Sequence, residues 1–316
     1  MAVAQSIHDI TKTTVVFRNI LVAVDFSEAS RRALSEAVAM ASIHDSLVSV
    51  VHVARTDWRY EMLENPPEID LARSDEQQRL NAFIRDAHPK RDIGAAIIKA
   101  GPVVQGVLSA IADTHADLLV MGTRGRGGLS KLALGSVAEE LLRIAPCPVL
   151  TVGPKSEITA TQEGLRAILL ATDFGKGSIE AIPLTLALAK SQRAKLILMH
   201  MLPPIPAPST SLSAFAPATT AADEVEEWER SSRKRYVHEM KNCLPADTGL
   251  EQEPEYIVGT DFLPEGILMA AEQSKAGLIV MGATHTGSAR AAAHIPWTAV
   301  HEVVRNARCP VLTVAG

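Results

Sequence analysis

The residues best equipped for chemistry lie in one stretch, Met121 to Ser136, which reads MGTRGRGGLSKLALGS. Gly122, Gly125, Gly127 and Gly128 would let a backbone come close to a ligand, because glycine has no Cβ and tolerates positive φ. Gly135 and Ser136 then open the segment Val137 to Arg143, whose apolar spacing suits an amphipathic helix. The first amides of a helix have no intrahelical acceptor and carry the positive end of its dipole, so an anion is favoured there. A phosphate cradle is the chemistry this spells. A merely flexible connection is the alternative, since loops collect glycine. Arg124, Arg126 and Lys131 would add charge to phosphate binding, although loop cations are commonly just solvated.

The elements that must position this loop form a unit written twice. Asn19 to Phe26, NILVAVDF, has a counterpart in Ala167 to Phe174, AILLATDF, and each continuous apolar run ending in Asp-Phe reads as a strand covered on both faces. His52 stands 27 residues after Asp25, and His200 stands 27 residues after Asp173. The register continues through DLLVMG at Asp117 and GLIVMG at Gly277, and through CPVLTV at Cys147 and Cys309. This is a tandem duplication of a whole domain, with expected domains at 1–153 and 165–316 and a polar linker near Gly153 to Gly164.

Within the first copy, strands are expected at 19–26, 47–53, near 93–99, at 117–122 and at 149–152. Helical patterns run from Ser27 as N-cap to Ser42, around Ser74 to Asp86, over Val103 to His115 and from Ser136. Strands alternating with helices imply right-handed crossovers and a parallel sheet with helices on both faces. In the second copy, Leu202 to Ala222 is rich in Pro, Ala, Ser and Thr and reads as a mobile surface excursion that buries little. The helix expected after it, Asp223 to Asn242, places acids first and bases later, which suits its dipole.

A net charge of -5 and a pI near 6.1 provide no basic field, which argues against nucleic acid as a partner. No apolar run is long enough to span a bilayer, and MAVAQSIHDITKTT does not read as a leader, so a cytoplasmic location is expected. Cys147, Cys243 and Cys309 form no CxxC pair and read as reduced packing residues. His52 and His200 read as satisfied strand histidines, and no spacing among His285, His294 and His301 suggests a metal.

The spacing G-x2-G-x9-G-S/T, after an early strand ending in Asp-Phe-Ser, resembles the ATP-binding branch of the universal stress protein family, and the likeness covers the whole chain as two such domains. It implies two doubly wound α/β domains, each a five-stranded parallel sheet in the order 3-2-1-4-5. In that order Asp25 and Gly122 face one crevice at the carboxyl ends of strands 1 and 4. By this resemblance Val53, beside His52, would contact adenine; Gly122, Gly125, Gly135, Ser136 and Val137 would hold ribose and phosphates. Asp25 would meet the nucleoside, Ala23 would lie beside it, and the cofactor would be ATP, alone or with Mg²⁺. Asp25 and Asp173 could equally cap the helices that follow them. In the family the last strands pair across a dimer, so Pro148–Val152 and Pro310–Val314 would pair within this chain, and the resulting pseudo-dimer could associate further as a homodimer.

The second copy departs from the motif. His285 stands in place of Gly125, the following segment is two residues longer, and Trp297 and Thr298 fall opposite Gly135 and Ser136. Pro296 removes one amide there. Asp173 survives, so altered ligand binding stays open for this half. No catalytic residue is assigned: there is no GxxxxGK(S/T) loop and no evident base. Three functions follow: an ATP-binding stress-response regulator, a slow ATPase or phosphoryl or adenylyl transferase, and a nucleotide-independent interaction module.

Overall fold

The computed structural model describes residues 16–54, 66–87, 91–123, 134–156, 165–202, 218–260, 262–283 and 297–316. In the first half β1 (Asn19–Val24), β2 (Leu47–Ala54), β3 (Ala95–Ala100), β4 (Leu118–Gly122) and β5 (Val149–Val152) alternate with helices. These are α1 (Glu28–His44), α2 (Pro66–Asp86), α3 (Val103–Thr114) and α4 (Ser136–Ile144). The second half repeats the pattern with β6 (Ala167–Ala171), α5 (Lys176–Gln192), β7 (Lys195–Met201), α6 (Ala218–Asn242) and β8 (Glu255–Gly259), then α7 (Leu263–Gln273), β9 (Leu278–Ala283), α8 (Trp297–Asn306) and β10 (Val311–Ala315).

All ten strands form one sheet in the order β3-β2-β1-β4-β5-β10-β9-β6-β7-β8, so each half has the order 3-2-1-4-5. Every pairing within a half is parallel, and the halves join through an antiparallel ladder that sets Leu150 opposite Leu312. The identical last strands therefore close each other's edges, and Thr151 donates its hydroxyl across the junction to the Val311 carbonyl at 3.1 Å. One apolar layer joins α1, α2, α5 and α6 to one face of the sheet, the other joins α3, α4, α7 and α8 to its opposite face, and each runs through both halves.

Several boundaries differ from the sequence reading. α2 starts at Pro66, because proline's fixed φ and missing amide suit a first turn. α6 starts at Ala218, so Asp223 to Glu227 fall beyond its first turn and gain less from the dipole. Leu202, expected in an excursion that buries little, is in the core and its amide donates to Gly259. β1 stops at Val24 and β3 is shifted to Ala95–Ala100.

His44, in the last turn of α1, is buried beside Phe17, and neither ring nitrogen has a hydrogen-bond partner among the described residues. Burial lowers its pKa below the ordinary 6.5, despite the favourable helix end. The unfolded chain then takes up a proton that the folded chain resists. Stability is full above about pH 6.5 and falls as the pH drops below it. His44→Leu is expected to flatten that acid limb, read from denaturant midpoints between neutral and mildly acid pH. Leu150→Ala, at the centre of the junction, is expected to cost about 2–5 kcal/mol by the same measurement.

Candidate functional site

The chain turns sharply where β1 ends. Asp25 Oδ1 accepts the Ser27 amide at 3.0 Å, Phe26 takes a φ of 65°, and Ser27 caps α1 by accepting the Ser30 amide on its hydroxyl oxygen. A phenylalanine in the left-handed region is strained and needs support. His52 supplies part of it, its ring centre 4.2 Å from that of Phe26, and the Arg79 guanidinium stands 4.3 Å from the centre of the same Phe26 ring. His52 Nδ1 donates to the Val24 carbonyl at 2.8 Å, which fixes the tautomer and leaves Nε2 facing Glu76 at 3.7 Å. The same corner recurs in the second half, with Phe174 at φ 58° and His200 Nδ1 on the Thr172 carbonyl at 2.8 Å. Burial holds His200 below the ordinary histidine range. The strand histidines are thus structural pins, as the sequence suggested, whereas the strained phenylalanine was announced only by the repeated Asp-Phe pair.

Alternation along β2 settles where Val53 faces. The Leu47 amide donates to Arg18, on the β1 side, and the Ala54 carbonyl accepts Gly101, on the β3 side. Successive residues of a parallel strand address opposite neighbours, so the backbone of Val53 faces β1. β1 has ended by that level, and the Val53 carbonyl looks past Val24 towards the Asp25 corner. Its side chain is buried, packed so closely on α3 that a Cβ on Gly106 would lie 2.8 Å from it, which leaves only the Val53 backbone for a ligand.

Ala23 pairs with Met121, which sets Asp25 and Gly122 on adjacent strand ends. The Thr123 amide continues the ladder to Val152, and its carbonyl accepts the Gly135 amide at 3.1 Å, so the residue that starts α4 lies beside the residue that ends β4. Gly135 is the N-cap, with no side-chain cap, and the first helical bond is from Glu139 to Gly135. The amides of Ser136, Val137 and Ala138 precede it, at the positive end of the helix. Asp25, Val53, Gly122, Gly135, Ser136 and Val137 are therefore gathered at one end of the first half-sheet. Gly125, Arg124, Arg126 and Lys131 lie outside the described residues, as do Gly127, Gly128, His285, His294 and Pro296.

The two glycines are there for different reasons. A Cβ on Gly122 would sit 2.8 Å from the backbone of Ala29, so glycine is needed for α1 to close on β4. Gly282 is tighter still, 2.0 Å from the Ser178 amide, which explains why both copies keep this glycine. At Gly135 φ is −67° and the nearest described neighbour of a Cβ, the Thr123 carbonyl, is 3.6 Å away. In the second half Trp297 fills the position, half-buried, with the Arg143 guanidinium 5.7 Å from its ring centre. Asp173 is 7% exposed and bonded to its own turn, whereas Asp25 is half-buried.

The universal stress protein family model matches residues 17–153 and again residues 164–315. The chain belongs to the universal stress protein family. A relative in Thermus aquaticus, the universal stress protein in the QAH/OAS sulfhydrylase 3' region, is 36% identical over 140 residues, which is 43% of this chain and 99% of its own length. Universal stress protein YxiE of Bacillus subtilis strain 168 is 31% identical over 147 residues, with 43% and 99% covered. These relatives are thus about one domain long. The crystal structure of a universal stress protein from Archaeoglobus fulgidus DSM 4304 shares the fold over 94% of this chain and 98% of its own, at a TM-score of 0.61 and 19% identity.

No helix among the described residues of this universal stress protein is long and apolar enough to cross a membrane, and no group of three His, Cys, Asp or Glu side chains among them could hold a metal ion. Its cysteines are free thiols, and burial pushes Cys147 up to about 11 and Cys309 up to about 12, far from reactive thiolates. The different demands on the two glycines give a contrast in stability. Gly122→Ala is expected to cost about 1–3 kcal/mol by overpacking. Gly135→Ala should cost under about 1 kcal/mol, the loss of a favoured cap residue, both read from denaturant unfolding.

Proposed function

We propose that this universal stress protein binds one adenine nucleotide, ATP, in the crevice of its first half and acts as a cytoplasmic regulatory protein of the stress response. One observation carries the reading: Gly135 is glycine although neither its backbone angle nor a described neighbour requires it. Serine, aspartate or asparagine would cap α4 better. A bare backbone at a helix N-terminus suits the close approach of a phosphate. In this reading Asp25 takes the ribose hydroxyls, the Val53 backbone takes the adenine edge beside Ala23, and Gly122, Gly125, Gly135, Ser136 and Val137 take the phosphates with help from Arg124, Arg126 and Lys131. Any Mg²⁺ would arrive on the phosphates themselves. Asp173 is given no ligand, because its corner is closed on itself.

The regulatory part rests on α1. That helix closes on Gly122 at its first turn, and its Arg32 donates to the carbonyls of Pro154 at 3.0 Å and Ser156 at 3.2 Å, where the chain leaves the first half. Lys155 reaches Asn306 of α8 at 3.4 Å. Occupancy beside Gly122 would thus bear on the segment that joins the halves. Isothermal titration of the full chain with ATP tests the site. Gly135→Ala is expected to weaken binding about tenfold, because its Cβ would hold a phosphate away from one of the following amides at the cost of about one charge-assisted hydrogen bond, while the fold is kept. Absence of ATP binding by the wild type, or equal affinity in the variant, would overturn the assignment.

A further inference from the structure

The Thr123 side chain is 2% exposed, and its hydroxyl has no hydrogen-bond partner among the described residues. The main chain of the same residue is engaged on both sides: the amide donates to Val152 at 3.2 Å and the carbonyl accepts the Gly135 amide at 3.1 Å. A buried hydroxyl that has given up its water contacts without a replacement lowers stability. Valine has the same shape without that cost, so packing does not account for a threonine here.

The strand sets where this hydroxyl lies. Side chains alternate between the faces of a sheet, and the Thr123 amide carries the β4–β5 ladder one residue beyond Gly122. Leu119 and Met121 belong to the apolar layer under α3 and α4, so Thr123 falls on that face. Leu134 and Ala138, on either side of the start of α4, belong to the same layer, and Gly135 between them is bonded to Thr123. The hydroxyl is therefore set against the first turn of α4, whose leading amides have no intrahelical acceptor. In the second half Val280-Met281-Gly282-Ala283 matches Val120-Met121-Gly122-Thr123, and Ala283 is 1% exposed at the end of β9. The half whose last helix starts at Trp297 has a methyl group at this position, and the half whose last helix follows Gly135 has a hydroxyl.

We propose that Thr123 is a binding residue for the phosphate-bearing end of the ligand: its hydroxyl donates to a phosphate oxygen that also meets the amides of Ser136 and Val137. A hydrogen bond from a hydroxyl to an anionic oxygen is charge-assisted and stronger than one between neutral groups. The helix supplies positive potential from one side and Thr123 a donor from the strand end. The bond between the Thr123 carbonyl and the Gly135 amide fixes the two elements relative to each other, so the donors are in place before the anion arrives.

The inference rests on the phosphate end of the proposed nucleotide site, and its test separates the two. The full chain is titrated calorimetrically with ATP, with adenosine and with inorganic tripolyphosphate. Thr123→Val is expected to weaken ATP and tripolyphosphate about tenfold and to leave adenosine unchanged. Thr123→Ser, which keeps the hydroxyl, should bind all three as the wild type does. The denaturant midpoint of ligand-free Thr123→Val should equal or exceed that of the wild type, because a buried hydroxyl without a partner is removed. A lower midpoint would assign the hydroxyl to the fold and overturn the inference. Unchanged ATP affinity in Thr123→Val, or an equal loss for adenosine, overturns it too and leaves the nucleotide site standing. Tripolyphosphate binding that depends on Thr123, in a chain that does not bind ATP, supports the inference and overturns the nucleotide reading. Binding of neither by the wild type overturns both.

Discussion

The fold depends on the antiparallel ladder between β5 and β10. An open parallel half-sheet of this kind would expose its last strand, an apolar edge of Val, Leu and Thr with unpaired amides and carbonyls. Pairing each copy's edge with the other removes both liabilities at once and lets the two apolar layers continue across the junction. Burial on this scale is the dominant stabilising term, and here it couples halves that a shorter ladder alone would hold loosely.

Much of the fold was legible in the sequence, because its signals are local. Continuous apolar runs marked the strands, the repeated DF, MG and CPVLTV segments fixed the copies in register, and the alternation of strands and helices implied the parallel sheet. The misjudged boundaries lie where one residue type serves two ends. Pro66-Pro67 reads as a break in sequence yet opens a helix, and the Pro-rich tract after β7 hid both a buried Leu202 and the start of α6.

The sequence pointed to residues that the fold gathers at one strand end, but not to the physics that holds each of them there. Gly122 and Gly135 stood out in the glycine-rich stretch, Asp25 joined them through the family resemblance, and the strand order gathers all three. That Gly122 serves the packing of α1, while Gly135 does not answer to packing, could not be read from residue types, since it depends on how closely a helix distant in sequence approaches the strand end. The left-handed Phe26, its His52 and Arg79 supports, and the Arg32 grip on the linker needed coordinates for the same reason.

The antiparallel junction also sets a polarity. Strands run one way in the first half and the opposite way in the second, so the carboxyl ends that carry Asp25 and Gly122 emerge on one rim of the sheet and those that carry Asp173 and Gly282 on the opposite rim. Duplication has thus produced a plate with two unlike rims, one lined by a glycine at its helix start and one by a tryptophan. A molecule seated on the first rim leaves the second entirely clear, and the two copies were free to diverge without obstructing each other.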